Sequence, residues 1–203
     1  MFTYRVMQRL LKPLCCAALL VGAYSAQASD IRQFSLKTTE NLGRELYEQT
    51  QRAATLSEPQ RRAKRAAMAA LPQLEKQGYR FIVLNDPERK GYLVYALATT
   101  RDPRDVVIGL HYRVSVSADG KVERVDPLAR SAGVISGNGS DLPRGTHRAG
   151  FYSTCMVSVR PTETFVYLTL LHNQPCAVAT SDGTIWFIEK GKITKDGKAS
   201  SAR

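Results

Sequence analysis

A change in residue pattern at Gly78 constrains the fold of this chain more than any other feature. Beyond it, apolar and polar residues alternate in stretches rich in β-branched and aromatic side chains, which is typical of half-buried strands. These stretches cover residues 79–84, 91–100, 105–117 and 121–128. The breaks between them are too short for crossover helices, so neighbouring strands are expected to run antiparallel. Asp119–Gly120 is the clearest hairpin signal among the breaks, because glycine tolerates the positive φ that a tight turn needs.

A second set of strand-like stretches extends the pattern towards the C-terminus. Its members cover residues 150–160, 164–172, 176–180 and 184–190. Strands over residues 79–190 that follow a helical segment predict an α+β fold, in which N-terminal helices pack on a curved antiparallel meander within a single domain.

The segment before Gly78, residues 29–78, has the periodicity of helices instead. Leu42 and Leu46 recur at helical spacing with charged residues between them. Ser57 and Gln60 have the spacing of a capping box at the start of a second helix. Pro72 is expected to kink that helix or to end it early.

Residues 1–28 have the three parts of a secretory signal peptide. A basic head precedes an apolar run over residues 14–24, and small residues at 26 and 28 fit a signal peptidase. The apolar run is shorter than the ~20 residues of a spanning helix. We therefore expect cleavage after Ala28 and a periplasmic or secreted protein that does not span the membrane. An uncleaved membrane anchor is the alternative.

The mature chain carries an excess of positive charge. Cleavage leaves 26 Lys and Arg residues against 18 Asp and Glu residues, a net charge of +8. Nucleic acid is not the usual occupant of an exported protein's compartment, so this balance favours an anionic envelope component or another envelope or secreted protein as the partner. The second predicted helix carries a basic cluster that is either a polyanion site or a solvated face. Its members are Arg61, Arg62, Lys64 and Arg65.

Two cysteines, Cys155 and Cys176, remain after cleavage. An exported protein with two cysteines usually joins them, so the sequence predicts a disulfide. If the two strands lie on either side of a common neighbour, they are about 9.6 Å apart. This separation exceeds the ~7 Å limit for the Cα atoms of a disulfide and opposes the bridge. Pro175 could bring the cysteines closer together, since it interrupts the strand pairing and lets the chain fold back at the strand end.

The connection at residues 131–150 is rich in glycine and long for a compact domain. Its backbone amides, together with Arg144, His147 and Arg148, are a candidate site for a phosphate, carboxylate or acidic sugar. The same composition also suits a flexible linker.

Known catalytic motifs are missing from the mature chain. It has no G-x-S-x-G and no H-E-x-x-H, and its three histidines are far apart in the sequence. We therefore predict neither a metal nor a cofactor, and a non-catalytic binding protein such as an inhibitor, immunity factor or envelope assembly accessory. The alternative is a small hydrolase of envelope polymer that uses two carboxylates, which the sequence does not identify. Glu163 and Asp182 lie in predicted turns, as acidic residues commonly do.

Two further features bear on binding. Trp186, the only tryptophan, is either an anchor in a binding groove or a core residue. Residues 191–203 are basic and lack apolar periodicity beyond Ile193, which predicts a flexible tail.

Overall fold

The computed structural model describes residues 31–52, 55–74, 77–137, 142–143, 145–146 and 148–198. The predicted signal peptide therefore lies outside the described residues. The helices are α1 (Leu36–Gln51), α2 (Glu58–Ala70) and α3 (Glu163–His172). The strands are β1 (Tyr79–Asn85), β2 (Gly91–Ala98), β3 (Val106–Ile108), β4 (Tyr112–Ser117), β5 (Val122–Pro127), β6 (Gly133–Ile135), β7 (Phe151–Cys155), β8 (Cys176–Thr180), β9 (Thr184–Glu189) and β10 (Lys192–Lys198).

The described strands form two four-stranded sheets and a short two-stranded ribbon. The first sheet has the order β1-β2-β4-β5 and is antiparallel throughout. The second has the order β10-β9-β8-β7. The ribbon pairs β3 with β6 and so draws the start of the glycine-rich loop into regular structure. The α+β class predicted from the sequence is confirmed.

Both faces of the first sheet are covered. Helix α2 packs its small residues, Ala63 and Ala67, on one face of that sheet. Helices α1 and α3 belong to a larger core that joins the opposite face to the second sheet. The two helices approach closely at Gly43, where an added Cβ would lie 2.4 Å from Cβ of Val166. The layers are therefore α2, the first sheet, the α1–α3 pair and the second sheet.

Helix α2 begins and ends where the sequence predicts. Ser57 caps α2, and the predicted capping box is confirmed because the Ser57 and Gln60 side chains each accept a hydrogen bond from the other residue's backbone N–H. Helix α2 ends at Ala70, and Pro72–Leu74 forms a 3-10 turn, as expected from proline.

The stretch 164–172 was predicted to be a strand, and this prediction is wrong. It forms α3, whose residues from Glu163 to Thr169 are all buried. A helix that is apolar on every side carries no amphipathic period, so its aromatic and β-branched residues resemble a buried strand.

The consequence of α3 is a parallel strand pair. Strands β7 and β8 run parallel, with Phe151 opposite Cys176 and Cys155 opposite Thr180. Antiparallel pairing was expected because the breaks looked too short for a crossover. Once 163–172 is a helix, the connection from β7 to β8 is long enough for a parallel return.

The predicted flexible tail differs from the structure over Lys192–Lys198, which forms β10 on the edge of the second sheet. The hairpin before it turns at Lys190 and Gly191, both with positive φ (49° and 75°). Ile193 is buried, and its N–H donates to Glu40 of α1 at 3.0 Å. The excess of lysines obscured this strand in the sequence.

Candidate functional site

A groove of about 620 Å³ lies between the two N-terminal helices and strand β1. Gln49 and Arg52 form one wall at the end of α1, and Lys64 and Met68 of α2 form the other. Apolar side chains from the segment after α1, the end of α2, the 3-10 turn and β1 line the space between them. These are Leu56, Leu71, Pro72, Leu74, Phe81, Ile82 and Val83. This volume lies in the range of ordinary ligand pockets, about 300 to 1,000 Å³.

The charged residues that line this groove in the described part of the chain have one sign. Arg52, Lys64 and Arg80 line it, and none of its described lining residues carries a carboxylate. Arg80 is held in place because its Nη2 donates to the carbonyl oxygen of Thr50 at 2.6 Å, which ties β1 to the end of α1. An apolar floor with a basic rim favours ligands that combine apolar and anionic groups.

A second polar feature, the Arg113 cluster (Arg113, Glu163, Asp126 and Tyr95), lies inside the protein. Arg113 of β4 donates to Glu163 at 2.7 Å and to Asp126 at 2.8 Å, and Tyr95 donates to the same Glu163 oxygen at 2.8 Å. The three charged side chains are each at most 2% exposed. Burial alone would lower the pKa of Arg113, but the charges of Glu163 and Asp126 raise it further than burial lowers it. Arg113 therefore stays charged and pairs with both buried carboxylates, and Asp126 also binds a second cation, Arg124.

The N-terminal segment seals the Arg113 cluster. The ring of Phe34 stacks against two guanidinium groups, with its centroid 4.7 Å from Cζ of Arg32 and 4.8 Å from Cζ of Arg113. Arg113 also donates to the carbonyl oxygen of Arg32. Arg32 is fixed in turn by Asp86, at 2.5 Å. The cavity beside this segment holds only about 10 Å³, so a substrate has no room to reach the carboxylates.

The glycine-rich loop is only partly described. Arg144 and His147 lie outside the described residues, and Arg148 Nη2 donates to the carbonyl oxygen of Ser136 at 3.5 Å. The predicted anion site on this loop therefore stays a prediction.

Trp186 lies in the core, 7% exposed, and its Nε1 donates to Thr180 Oγ1 at 3.1 Å. Of the two roles that the sequence suggests, this burial matches a core residue and not an anchor in a binding groove. Trp186 lies on β9 of the second sheet and is not among the residues that line the groove.

The two cysteines are buried free thiols in the structure. The parallel register sets Cys155 four residues beyond Phe151, the partner of Cys176. Four residues of strand span about 13 Å, well above the ~7 Å limit for bridged Cα atoms. Burial raises the pKa of Cys155 to about 11 and that of Cys176 to about 12. The disulfide stays a prediction, and this register opposes it.

The two described histidines, His111 and His172, are explained by their places in the fold. His111 is buried, accepts from the Ala98 N–H at Nδ1 (3.1 Å) and contacts the Val107 carbonyl oxygen through Nε2 (3.1 Å). Burial lowers its pKa to about 4, so it is neutral at physiological pH. His172 ends α3, and burial lowers its pKa as well. The part of the chain that the structure describes holds no group of three or more His, Cys, Asp or Glu side chains arranged for a metal ion.

Of the groove's three cations, the sequence pointed to Lys64 alone, as a member of the basic cluster on α2. Arg61, Arg62 and Arg65 do not line the groove, and Arg61 and Arg65 instead bind Glu58 on the same helix. Arg52 and Arg80 come from other elements. Only the packing of α1, α2 and β1 brings the three together.

Comparisons with known proteins add no relative from which a function can be carried over. A scan of family models finds no match, and searches of curated proteins and of solved structures find none either. Within the described residues, none of the helices combines the length and apolar character needed to cross a bilayer.

Proposed function

We propose that this protein is an exported, non-catalytic binding protein of the periplasm or the extracellular space, and that it holds an anionic ligand in the groove between α1, α2 and β1. The groove's apolar floor and its basic rim of Arg52, Lys64 and Arg80 carry the proposal. The partner is another envelope or secreted protein, or an anionic envelope component. The net charge of +8 after signal removal also favours an anionic partner.

The hydrolase alternative gains no support from the geometry of the described carboxylates. Glu163 and Asp126 do converge, but both bind Arg113 and are almost fully buried. A glycosidase pair needs access for a sugar and a water between its carboxylates. Asp182 accepts hydrogen bonds from the hydroxyls of Thr180 and Thr184 in the turn between β8 and β9, which gives it a structural role.

The test is a capture experiment with charge-reversal variants. Immobilised mature protein is incubated with envelope extract, and the captured molecules are identified by mass spectrometry. The double variant Arg52→Glu/Lys64→Glu reverses two cations of the groove. A matched control, Arg89→Glu/Lys90→Glu, makes the same change of net charge at the exposed turn between β1 and β2, outside the groove.

The proposal expects a molecule that the wild type and the control capture, that moderate salt releases, and that the groove variant captures at least tenfold less. Equal capture by all three proteins would overturn it. Circular dichroism of each variant shows whether a loss of capture comes from misfolding.

A further inference from the structure

The open edge of the first sheet lies in the groove. Strand β1 is at the end of the order β1-β2-β4-β5, and among the described strands it pairs with β2 alone. Five consecutive residues of β1, Tyr79 to Val83, line the groove. Side chains alternate between the two faces of a strand, so a consecutive run of lining residues means that the groove follows the strand's edge.

The pairing with β2 shows which backbone groups point into the groove. The Thr99 N–H donates to the Gly78 carbonyl and the Asp86 N–H donates to the Gly91 carbonyl, each at 3.1 Å. In an antiparallel pair, residues that exchange hydrogen bonds alternate with residues that do not. The even-numbered residues of β1 therefore face β2, and the backbone N–H and C=O of Phe81 face the open edge.

Within the described residues, no strand pairs with that edge. None of the described residues makes a hydrogen bond to the backbone N–H or C=O of Phe81, and Phe81 is only partly buried. The neighbouring Tyr79 carbonyl and Val83 N–H point the same way by the same alternation. An unpaired strand edge is a template for another extended chain.

The open strand edge favours an acidic peptide over an anionic amphiphile as the ligand of the groove. The acyl chain of an amphiphile would cover the backbone groups of Phe81 without satisfying them, which is costly. An extended peptide satisfies them by pairing, and its side chains reach the apolar floor and the basic rim. Arg52, Lys64 and Arg80, with no carboxylate among the described lining residues, favour acidic residues in that peptide.

We infer that the ligand of the groove is an extended acidic segment of another exported protein, bound as an added strand along β1. This inference rests on the proposed function and narrows its ligand to a peptide. Backbone hydrogen bonds to Phe81 provide the pairing, and the three cations select the acidic side chains.

The test uses a synthetic heptapeptide of alternating residues, acetyl-Glu-Val-Glu-Val-Glu-Val-Glu-amide, with affinity measured by calorimetry. Two matched peptides carry N-methyl groups on the three valines or on three of the glutamates. In an extended strand these two sets of N–H groups point to opposite edges, so only one set faces β1. The inference expects one methylated peptide to bind at least tenfold more weakly and the other to bind like the parent. It also expects the Phe81 amide to gain protection from hydrogen exchange when the parent binds.

Three results would overturn strand addition: no binding by the parent peptide, equal binding by all three peptides, or an unprotected Phe81 amide in the complex. A parallel titration with sodium dodecanoate separates this failure from failure of the proposed function. If dodecanoate binds the wild type and not Arg52→Glu/Lys64→Glu while the peptide does not bind, the groove is an anion site for amphiphiles and the peptide inference is wrong. If neither probe binds and capture from envelope extract is also unchanged in the groove variant, the proposed function fails as well.

Discussion

Arg113 joins three parts of the molecule, because it binds Glu163 of α3, Asp126 of β5 and the backbone of the N-terminal segment. Replacing it with methionine leaves Glu163 buried without its cation and leaves Asp126 with Arg124 alone. We expect Arg113→Met to lower the free energy of unfolding by about 3 to 5 kcal/mol, as measured by urea denaturation. Arg104→Met, which removes an exposed partner of Asp102, is the control and is expected to leave the midpoint unchanged. A similar midpoint for both variants would contradict the structural role of Arg113.

His111 makes stability depend on pH. Its folded pKa of about 4 lies below the ordinary value of 6.5, so the unfolded chain binds its proton more readily. The stabilisation is complete above pH 6.5 and is lost as the pH falls through 4. It amounts to about 3 kcal/mol across this window. We expect the difference in unfolding free energy between wild type and His111→Gln to shrink by that amount from pH 7 to pH 4. A constant difference would contradict the burial of a neutral imidazole.

The two thiols give a direct test of the strand register. With Cys155 opposite Thr180 and Cys176 opposite Phe151, both are free and buried. Ellman's reagent is therefore expected to find almost no reactive thiol in the native, unreduced protein and two after unfolding without reductant. No thiol after unfolding would establish the bridge predicted from the sequence and would require a different register for β7 and β8.

At the scale of elements, the sequence predicted the helix ends correctly where they depend on neighbouring residues. The capping box at Ser57 and the end of α2 before Pro72 could be read from the sequence, because each depends on residues within one turn. Helix α3 could not, since burial on all sides removes the periodicity that separates a helix from a strand. The parallel β7–β8 pair was missed for the same reason.

Strand β10 provides a test of an element that the sequence hid. Ile193 is 8% exposed in the core, so Ile193→Ala is expected to lower the free energy of unfolding by about 2 to 3 kcal/mol. The neighbouring Thr194 is exposed, and Thr194→Ala is expected to have little effect. Urea denaturation compares the two. Equal stability of Ile193→Ala and wild type would mean that residues 192–198 form the flexible tail first predicted.

At the scale of the whole molecule, the α+β class followed from the sequence while the candidate site did not. The order of helical and alternating segments was sufficient for the class. The groove depends on how the ends of α1 and α2 meet the edge of β1, and its three cations lie on separate elements. Such a site has no motif of contiguous residues. The basic cluster on α2 was its only visible signal in the sequence.

The groove can be tested as the binding site with two methionine methyl groups. After removal of residues 1–28 the chain keeps only Met68, which lines the groove, and Met156, which follows β7 and does not line it. Both are well exposed, at 41% and 45%. Mature protein labelled with ¹³C at the methionine methyls is titrated with the salt-eluted material that the wild type captures from envelope extract. We expect the Met68 resonance to shift and the Met156 resonance to stay in place; a shift of Met156 alone, or of neither, would contradict binding in the groove.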